Sequence, residues 1–317
     1  MTNIVTRTLE WSLPEEPLVR YSRPAKGSQS TIMDALDLAF TLRGQGWEWS
    51  RGVYIPRETR PTDRRGFTLY VVSSVVIHAF ICVLLHNVIR SFSPTGIGAN
   101  GGSIYDDTLP FHTRHLRATV ISIIATFAIY AFIQTYYDVC TLVGILVLGH
   151  DPEQWPPAFD APWRATSISD FWGRRWHQFC RRMFLVQGGY PLGYFFGKPG
   201  LVIGAFLSSA MIHHVGFAML HGNSDNLGDW RLLVGFGMMA PIILAERAFR
   251  RLTGHRVCGF AGWVWSMTWF AVLGNLIIDG FARCGQFGFF KFTESILPRR
   301  DGVERLVAHF DSWLHTV

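Results

Sequence analysis

"FTLYVVSSVVIHAFICVLLHNVI", residues Phe67 to Ile89, is the first long apolar run of the chain. It contains no acidic or basic residue other than His78 and His86. The hydrocarbon core of a bilayer is about 30 Å thick, and a helix needs about 20 consecutive apolar residues to cross it. This run has that length, so it predicts a transmembrane helix.

Four more apolar runs follow towards the C-terminus. The run Thr119–Gly149 is 31 residues long, which fits either one long tilted helix or a helix followed by a re-entrant turn. Next comes "VQGGYPLGYFFGKPG", a stretch that glycine and proline interrupt. Further spans are predicted at Leu201–Leu220, Leu232–Ala248 and Gly259–Gly280. Together these runs predict an all-α, multi-span helical bundle that is integral to the membrane.

Segments of different composition border the bundle. Residues 1–30 are polar and contain proline, which predicts an irregular N-terminal arm. "TIMDALDLAFTLRG", which begins at Thr31, separates polar from apolar residues at helical spacing and is too short to span. It therefore predicts a short interfacial amphipathic helix. We expect a membrane-embedded domain over residues 31–296 and a C-terminal tail over residues 297–317.

The composition supports a membrane protein. Of the 317 residues, 49% are hydrophobic and only 16% are charged, whereas a soluble domain carries about 25% charged residues. The mean hydropathy is positive, at +0.20. The formal net charge of +6 is better explained by arginines beside anionic lipid than by nucleic acid, so no nucleic-acid partner is expected.

Neither the cysteines nor the histidines form a pattern that predicts a metal site. The five cysteines include no C-x-x-C pair, which favours free thiols. "HTRH", His112 to His115, resembles one histidine box of a di-iron desaturase, but such a site needs several boxes. We therefore expect a polar loop at this position and no bound metal.

Arginine-rich segments alternate with arginine-poor ones along the chain. Loops rich in Lys and Arg are enriched on the cytoplasmic side of a membrane. If residues 119–149 cross once, the alternation predicts that the arginine-rich segments are cytoplasmic. These segments are residues 51–65, residues 174–182 and residues 247–256.

"SISDFWGRRWHQFCRRMF", Ser167 to Phe184, carries four arginines among aromatic residues. Ser167 and Asp170 have capping-box spacing, which predicts the start of a helix. Plotted as a helix, the segment has a basic face and an apolar stripe, as an interfacial amphipathic helix does. A simple topological anchor is the alternative, although an anchor does not need His177. The apolar stripe comprises Trp172, Trp176, Phe179 and Met183.

A histidine pair, His213 and His214, lies within the apolar run "AFLSSAMIHHVGFAML". At about 1.5 Å per residue, His213 lies roughly 20 Å along the helix from Gly200. Ionisable groups at such depth usually line a cavity or a pathway. The alternative is a pair of histidines that bond backbone carbonyls between helices.

"DFWGRRWHQFCRR" followed by "SSAMIHH" resembles the membrane-bound O-acyltransferase superfamily, in which an F-W-x-R-W-[HN] motif precedes an intramembrane histidine. The similarity is greatest to the wax-synthase-like branch of plants and fungi, whose motifs read D-F-W-G-R-R-W and S-G-x-x-H-E. The upstream "ALDLAFTLRGQGWEWSRGVYIP" also resembles fungal members, which include long-chain alcohol acyltransferases and terpenoid acetyltransferases. The resemblance covers about residues 20–290.

The resemblance implies roles for individual residues. His213 takes the position of the catalytic base, and His177 takes that of the second polar catalytic residue. The supporting positions are Asp170, Trp176 and Ser209. Plant wax synthases usually have asparagine in place of His177 and an acidic residue in place of His214. Longer members have two or three spans before the "ALDLAF" helix, which leaves a short or truncated member as an alternative.

The reaction implied by the resemblance transfers an acyl group from acyl-CoA or acetyl-CoA to the hydroxyl of an apolar alcohol, long-chain or terpenoid. Histidine suits the removal of the hydroxyl proton, and His177 or Ser209 is suited to donate to the carbonyl oxygen. No cofactor is expected to be bound permanently, membrane lipid is the surrounding partner, and the endoplasmic reticulum is the expected location. The arginines expected to bind the coenzyme A phosphates are Arg174, Arg175, Arg181 and Arg182.

Two alternatives to a wax-ester-type enzyme remain at this point. The first is an acetyltransferase of a terpenoid or sterol secondary-metabolite pathway. The second is a non-catalytic membrane protein, such as a channel, a lipid transporter or a truncated inactive homologue. A water-excluding tunnel joining His213 to the arginines and to the lipid would favour an enzyme, whereas a continuous polar pore would favour transport.

Overall fold

The computed structural model describes residues 18–21, 31–41, 43–44, 46–50, 53–92, 97, 101–220, 229–288 and 301–317. Across these ranges the regular secondary structure is helical, and an isolated β-type bridge joins Arg20 to Trp47. Most of the arm predicted over residues 1–30, and the boundary predicted at residue 297, lie outside the described residues.

The helices are labelled in chain order. They are α1 (Thr31–Phe40), α2 (Arg64–Phe92), α3 (Phe111–Leu146), α4 (the α-helical turn Ile168–Asp170 with the π-helical turn Phe171–Arg175), α5 (residues 181–196), α6 (residues 198–220), α7 (Arg231–Gly237), α8 (Met239–Thr253), α9 (Gly259–Trp269), α10 (Asn275–Arg283) and α11 (Asp301–Leu314). A π-helical turn, Phe270–Gly274, joins α9 to α10.

Five helical segments of the described chain are long and apolar enough to cross a membrane. They are Arg64–Phe92, Phe111–Leu146, Arg181–Phe217, Arg231–Thr253 and Gly259–Arg283. Each contains most of one predicted apolar run, so the all-α, multi-span class is confirmed. The protein is therefore an integral membrane protein.

Residues 119–146 of the long run Thr119–Gly149 belong to one uninterrupted helix, α3, which has 36 residues. The single-helix interpretation is therefore confirmed and the re-entrant turn is not found. The polar loop expected at His112–His115 is wrong, because these residues form the first turns of α3. The amide of Arg114 donates to the Pro110 carbonyl (2.9 Å), so the helical hydrogen bonding starts immediately after this proline.

The interrupted stretch before residue 200 is a helical hairpin. Gly197 has φ of 62° and ψ of −146°, values that a helix cannot contain, and it separates α5 from α6. A Cβ atom built on Gly188 would overlap the Gly204 carbonyl oxygen, and one built on Gly200 would overlap that of Leu192. Residues 16 positions apart would lie about 24 Å apart along one straight helix, so the chain reverses direction at Gly197. The distance of roughly 20 Å to His213 is counted along the helix from Gly200. Gly200 therefore lies next to the turn of this hairpin.

Gly204→Ala should destabilise the hairpin, because the added methyl group meets backbone atoms of Gly188 and Gly189 that cannot rotate away. We expect the apparent melting temperature in detergent to fall by about 5 °C or more. Gly274→Ala is the matched control, since its added Cβ would have only an ordinary contact at 4.0 Å with Phe270. An unchanged melting temperature for Gly204→Ala would contradict the close packing of the two helices.

The chain divides into two compact units. The first comprises residues 1–74, 137–209 and 239–266, and the second comprises residues 75–136, 210–238 and 267–317. In the second unit, the segment expected to be a C-terminal tail contains α11. Asp311 of this helix accepts a hydrogen bond from buried Arg117 (2.9 Å), and Leu314 is fully buried. Residues 301–314 are thus packed into the second unit.

Candidate active site

The N-terminus of α4 lies in the first unit and has a complete set of hydrogen-bond acceptors. The Ser167 hydroxyl accepts from the Asp170 amide (2.9 Å), which confirms the predicted cap. The Glu246 carboxylate accepts from the amides of Ile168 (2.8 Å) and Ser169 (2.9 Å). The first amides of a helix have no partner within it, so side chains must supply the acceptors. Sequence analysis found the serine but not the glutamate.

The continuous amphipathic helix expected from Ser167 to Phe184 is wrong, because α4 ends at Arg175. Trp176 has an extended conformation (ψ 153°), and its amide donates to the Phe171 carbonyl to close the π-helical turn. The Gln178 side chain then donates to the carbonyls of Trp176 (2.6 Å) and Trp172 (3.1 Å). The Gln178 side-chain amide thus bonds carbonyls that would accept from backbone amides if the helix continued. The predicted apolar stripe therefore does not form one helix face.

The four arginines of this segment have different environments. The Arg175 guanidinium donates to the Asp170 carboxylate (2.5 Å) and to the Asp160 carbonyl (3.1 Å). Arg182 donates to the backbone of Trp49 (2.9 Å), and its guanidinium lies over that indole, 4.1 Å from the ring centroid. The side chains of Arg175 and Arg182 therefore bind protein groups. The other two residues, Arg174 and Arg181, are exposed, and the Arg174 guanidinium lies over the Tyr54 ring, 5.2 Å from its centroid.

The loop before α4 is held by side chains from the N-terminal part of the same unit. Arg43 donates to the carbonyls of Pro157 (2.8 Å) and Pro156 (3.3 Å), and burial lowers the pKa of its guanidinium. The Tyr54 hydroxyl donates to the Asp160 carboxylate (2.6 Å), a hydrogen bond that raises the pKa of Tyr54. These contacts fix the loop whose carbonyls bind Arg175.

His177 follows α4 and lies among aromatic rings. Its imidazole stacks on Phe179, with 4.8 Å between the ring centroids and 26° between the planes. Phe159 approaches the same imidazole at 6.0 Å in an edge arrangement. Trp176 is 9% exposed and stacks on Phe171 at 5.2 Å. His177 is thus positioned by a local aromatic cluster.

Ser209 is a buried residue of α6, which also carries His213 one helical turn, or about 6 Å, further along. In the second unit, the His213 imidazole stacks on Phe236 of α7, with a centroid distance of 4.4 Å and an interplanar angle of 21°. Phe217 lies 5.9 Å away and Phe281 of α10 lies 6.2 Å away. The imidazole predicted to be the base is therefore surrounded by phenylalanines from three helices.

A buried ionic network connects the helices that carry two of these phenylalanines. Asp279 of α10 is fully buried, and its Oδ2 pairs with the guanidinium groups of Arg231 and Arg283, each at 2.8 Å. Its Oδ1 accepts from the Ser103 hydroxyl (2.8 Å) and the Ile104 amide (2.9 Å). The network thus joins α7, α10 and the segment before α3, and sequence analysis did not identify it.

Comparison with known proteins gives a consistent set of similarities. Residues 155–235 match the model of the Membrane bound O-acyl transferase family. The O-mevalon transferase yanI of Aspergillus niger is 28% identical over 213 residues, which cover 62% of this chain and 46% of that protein. The acetyltransferase ple2 of Rhodocybe pseudopiperita is 27% identical over 270 residues, covering 78% of this chain and 67% of that protein.

A plant protein is also similar. The probable long-chain-alcohol O-fatty-acyltransferase 8 of Arabidopsis thaliana is 25% identical over 194 residues, which cover 57% of this chain and 52% of that protein. The chain thus spans about half to two thirds of the length of these relatives. No solved structure matches the chain.

Proposed function

Because the chain belongs to the membrane-bound O-acyl transferase family, in its wax-synthase-like branch, we propose that it transfers an acyl group from acyl-CoA to the hydroxyl of an apolar alcohol. The observation that carries this proposal is the position of the family match. Residues 155–235 contain both the arginine- and tryptophan-rich motif and His213. The product is an ester, and coenzyme A is released as its thiol.

In the proposed reaction, His213 acts as the general base. Its imidazole removes the alcohol proton while the alcohol oxygen attacks the thioester carbonyl carbon. The tetrahedral intermediate collapses as the carbon–sulfur bond breaks, and the protonated imidazole returns the proton to the coenzyme A sulfur. A positioned histidine base typically accelerates such a step by about 10²–10⁴-fold. The phenylalanines around His213 support the proposal, because apolar walls exclude the water that would hydrolyse the thioester.

The carbonyl oxygen of the thioester becomes negatively charged during the attack and requires a hydrogen-bond donor. We assign this role to His177, with Ser209 as a supporting donor. The aromatic stacking around His177 supports the assignment, because it fixes the plane of the imidazole before substrate binds. Asp170 and Trp176 act as positioning residues, the first by holding Arg175 and the second by packing against Phe171.

The exposed arginines are proposed to bind the coenzyme A phosphates. Arg174→Gln combined with Arg181→Gln should raise KM for acyl-CoA about 5- to 10-fold and leave KM for the alcohol unchanged, because only one substrate is anionic. The effect should decrease as salt concentration rises. Arg175 and Arg182 belong to the same predicted set, but their guanidinium groups already bind protein oxygens, so we expect them to position the segment first.

Steady-state kinetics with both substrates varied would measure this effect. The matched control replaces Arg250 and Arg251 with glutamine, since these two arginines are also exposed and lie in another arginine-rich segment. Equal KM values for acyl-CoA in the wild type, the test variant and the control would leave Arg174 and Arg181 as lipid contacts alone.

The acyl donor can be long-chain or short. Similarity to a fatty-acyltransferase supports a wax-ester-type product, whereas similarity over 78% of the chain to an acetyltransferase supports acetyl transfer as the second candidate. In that second candidate the acceptor is a terpenoid or sterol alcohol. We place either reaction in the endoplasmic reticulum, where the arginine-rich segments would face cytosolic coenzyme A.

The proposed activity can be tested on the purified chain in lipid nanodiscs. Radiolabelled acetyl-CoA and palmitoyl-CoA would each be offered with hexadecanol, farnesol or a sterol, and ester formation would be followed by thin-layer chromatography. Labelled ester that requires His213 would support the proposal and identify the donor class. A well-folded protein that forms no ester and instead moves lipid between leaflets would contradict it.

A further inference from the structure

Glu246 is a buried carboxylate on the otherwise apolar buried face of α8. It is 6% exposed, and it is the charged member of the buried set on α8, which otherwise comprises Met239, Ala240, Ile242 and Ile243. Burying a carboxylate costs free energy unless hydrogen bonds compensate it, so an apolar side chain would pack there more easily. The position therefore needs an explanation beyond helix packing.

The hydrogen bonds of Glu246 supply this explanation. Its Oε1 and Oε2 each accept from one amide in the first turn of α4, at 2.8 and 2.9 Å. Its Oε1 also accepts from the indole nitrogen of Trp265 in α9 (3.0 Å). The amides belong to Ile168 and Ser169, which are 78 and 77 residues away in the sequence. Glu246 therefore links two span-forming helices to the start of the motif.

We infer that Glu246 is a positioning residue for the reaction proposed above, and that it acts by fixing the start of α4. This helix has only an α-helical turn of three residues and a π-helical turn of five, too few to be stable alone. Its N-terminal amides are bonded by Ser167 and Glu246, and its other end delivers Trp176 and His177. Without the carboxylate, the helix start has unsatisfied buried donors, and His177 loses its fixed position.

Close packing of α9 against the residues just before α4 supports the same inference. A Cβ atom built on Gly262 of α9 would overlap the Thr166 carbonyl oxygen, and the indole of Trp263 donates to the Trp163 carbonyl (3.3 Å). Backbone contact and hydrogen bonds thus meet at the residues just before α4. Glu246 lies beyond residue 235, where the family match ends, so the matched segment alone does not reveal this role.

The inference rests on the proposed function, and two measurements separate the two claims. The first is the kinetics of ester formation by Glu246→Gln, which keeps the side-chain shape but loses one acceptor oxygen and the charge. We expect kcat/KM to fall about 10- to 100-fold, mostly in kcat, because the affected group is a catalytic donor and not a substrate anchor. Glu246→Ala should lose more activity than Glu246→Gln.

The second measurement does not require activity. Cys180 lies three residues after His177, is half-buried, and burial raises the pKa of its thiol to about 12. N-ethylmaleimide labelling of Cys180, quantified on its own peptide by mass spectrometry, therefore reports on the order of this segment. Glu246→Gln should increase the labelling rate severalfold at a temperature well below melting.

Two control variants make the test specific. Arg250→Gln changes an exposed residue of the same helix and should match the wild type in both measurements. Trp265→Phe removes the link from Glu246 to α9 but leaves both α4 amides bonded. In this variant Cys180 should be labelled as slowly as in the wild type, and ester formation should continue. If Cys180 is labelled as fast in Trp265→Phe as in Glu246→Gln, the carboxylate acts through helix packing and the inference is wrong. Wild-type labelling and kinetics in Glu246→Gln would also overturn it, whereas a wild type without ester formation would contradict only the proposed function.

Discussion

His213→Ala should lower kcat for ester formation by about 10²–10⁴-fold, because it removes the group proposed to take the alcohol proton. The KM values should change little, since in the proposed mechanism the imidazole acts on the reacting hydroxyl and the leaving sulfur and binds neither the coenzyme A phosphates nor the alcohol chain. The melting temperature should fall only slightly. The stacking of His213 on Phe236 is worth about 1 kcal/mol in comparable aromatic pairs.

His214→Ala is the matched control for this prediction. His214 is the next residue on the same helix and is only 4% exposed, so its loss should cost at least as much stability. Neighbouring side chains on a helix point about 100° apart, so His214 is not expected to share the role of His213. Near-normal turnover by His213→Ala, or equal loss in both variants, would remove the central claim of the mechanism. His177→Asn should be milder than His177→Ala, because asparagine retains a hydrogen-bond donor.

The span-forming helices and the serine cap of α4 could be predicted because both depend on local sequence. A long apolar run needs only its own length to predict a span, and Ser167 caps an amide three residues later. The end of α4 could not be predicted in this way. It depends on the Gln178 side chain folding back onto two carbonyls, and helical periodicity contains no information on that contact.

The hairpin at Gly197 had a signal in the sequence that was not used. Gly189 and Gly193 on one side, and Gly200 and Gly204 on the other, each have the G-x-x-x-G spacing that lets two helices approach closely in membranes. A break between two such pairs indicates that the flanking helices pack against each other. Proline and glycine alone predicted the interruption, but not the reversal.

Acidic residues inside apolar runs were a second sequence signal, one that indicates buried contacts. Asp138, Glu246 and Asp279 each lie in an apolar run, and they are 2%, 6% and 0% exposed. An acidic residue inside a span is costly unless it has a specific partner, so each one indicates a contact to be found. Most partners could not be named from sequence, because Asp138 bonds the hydroxyl of Ser74, 64 residues away, and Glu246 and Asp279 accept from backbone amides 78 and 175 residues away. The pair of Asp279 with Arg283, four residues later, is the exception that helical spacing could have indicated.

Asp279→Ala should cause the largest loss of stability among these variants, about 3–5 kcal/mol. The carboxylate is fully buried and balances Arg231 and Arg283, and it also accepts from Ser103 and Ile104. Removing it leaves the buried Ile104 amide without its acceptor and leaves Arg231 with Asp229 (3.0 Å) as its carboxylate partner, and an unsatisfied buried donor costs more than the lost attraction itself. Asp279→Asn should lose somewhat less, because its carbonyl oxygen can still accept one of these bonds.

Thermal unfolding in detergent would measure this loss, and Asp107→Asn is the control. Asp107 pairs with Arg114 at 3.0 Å in the same unit, but its side chain is 91% exposed, and exposed ion pairs contribute little. Asp279 also holds α7 and α10, which carry the Phe236 and Phe281 rings beside His213. Asp279→Asn should therefore lose activity at temperatures where it is still folded. Equal melting temperatures for Asp279→Asn and Asp107→Asn would show that the network around Asp279 does not hold these helices.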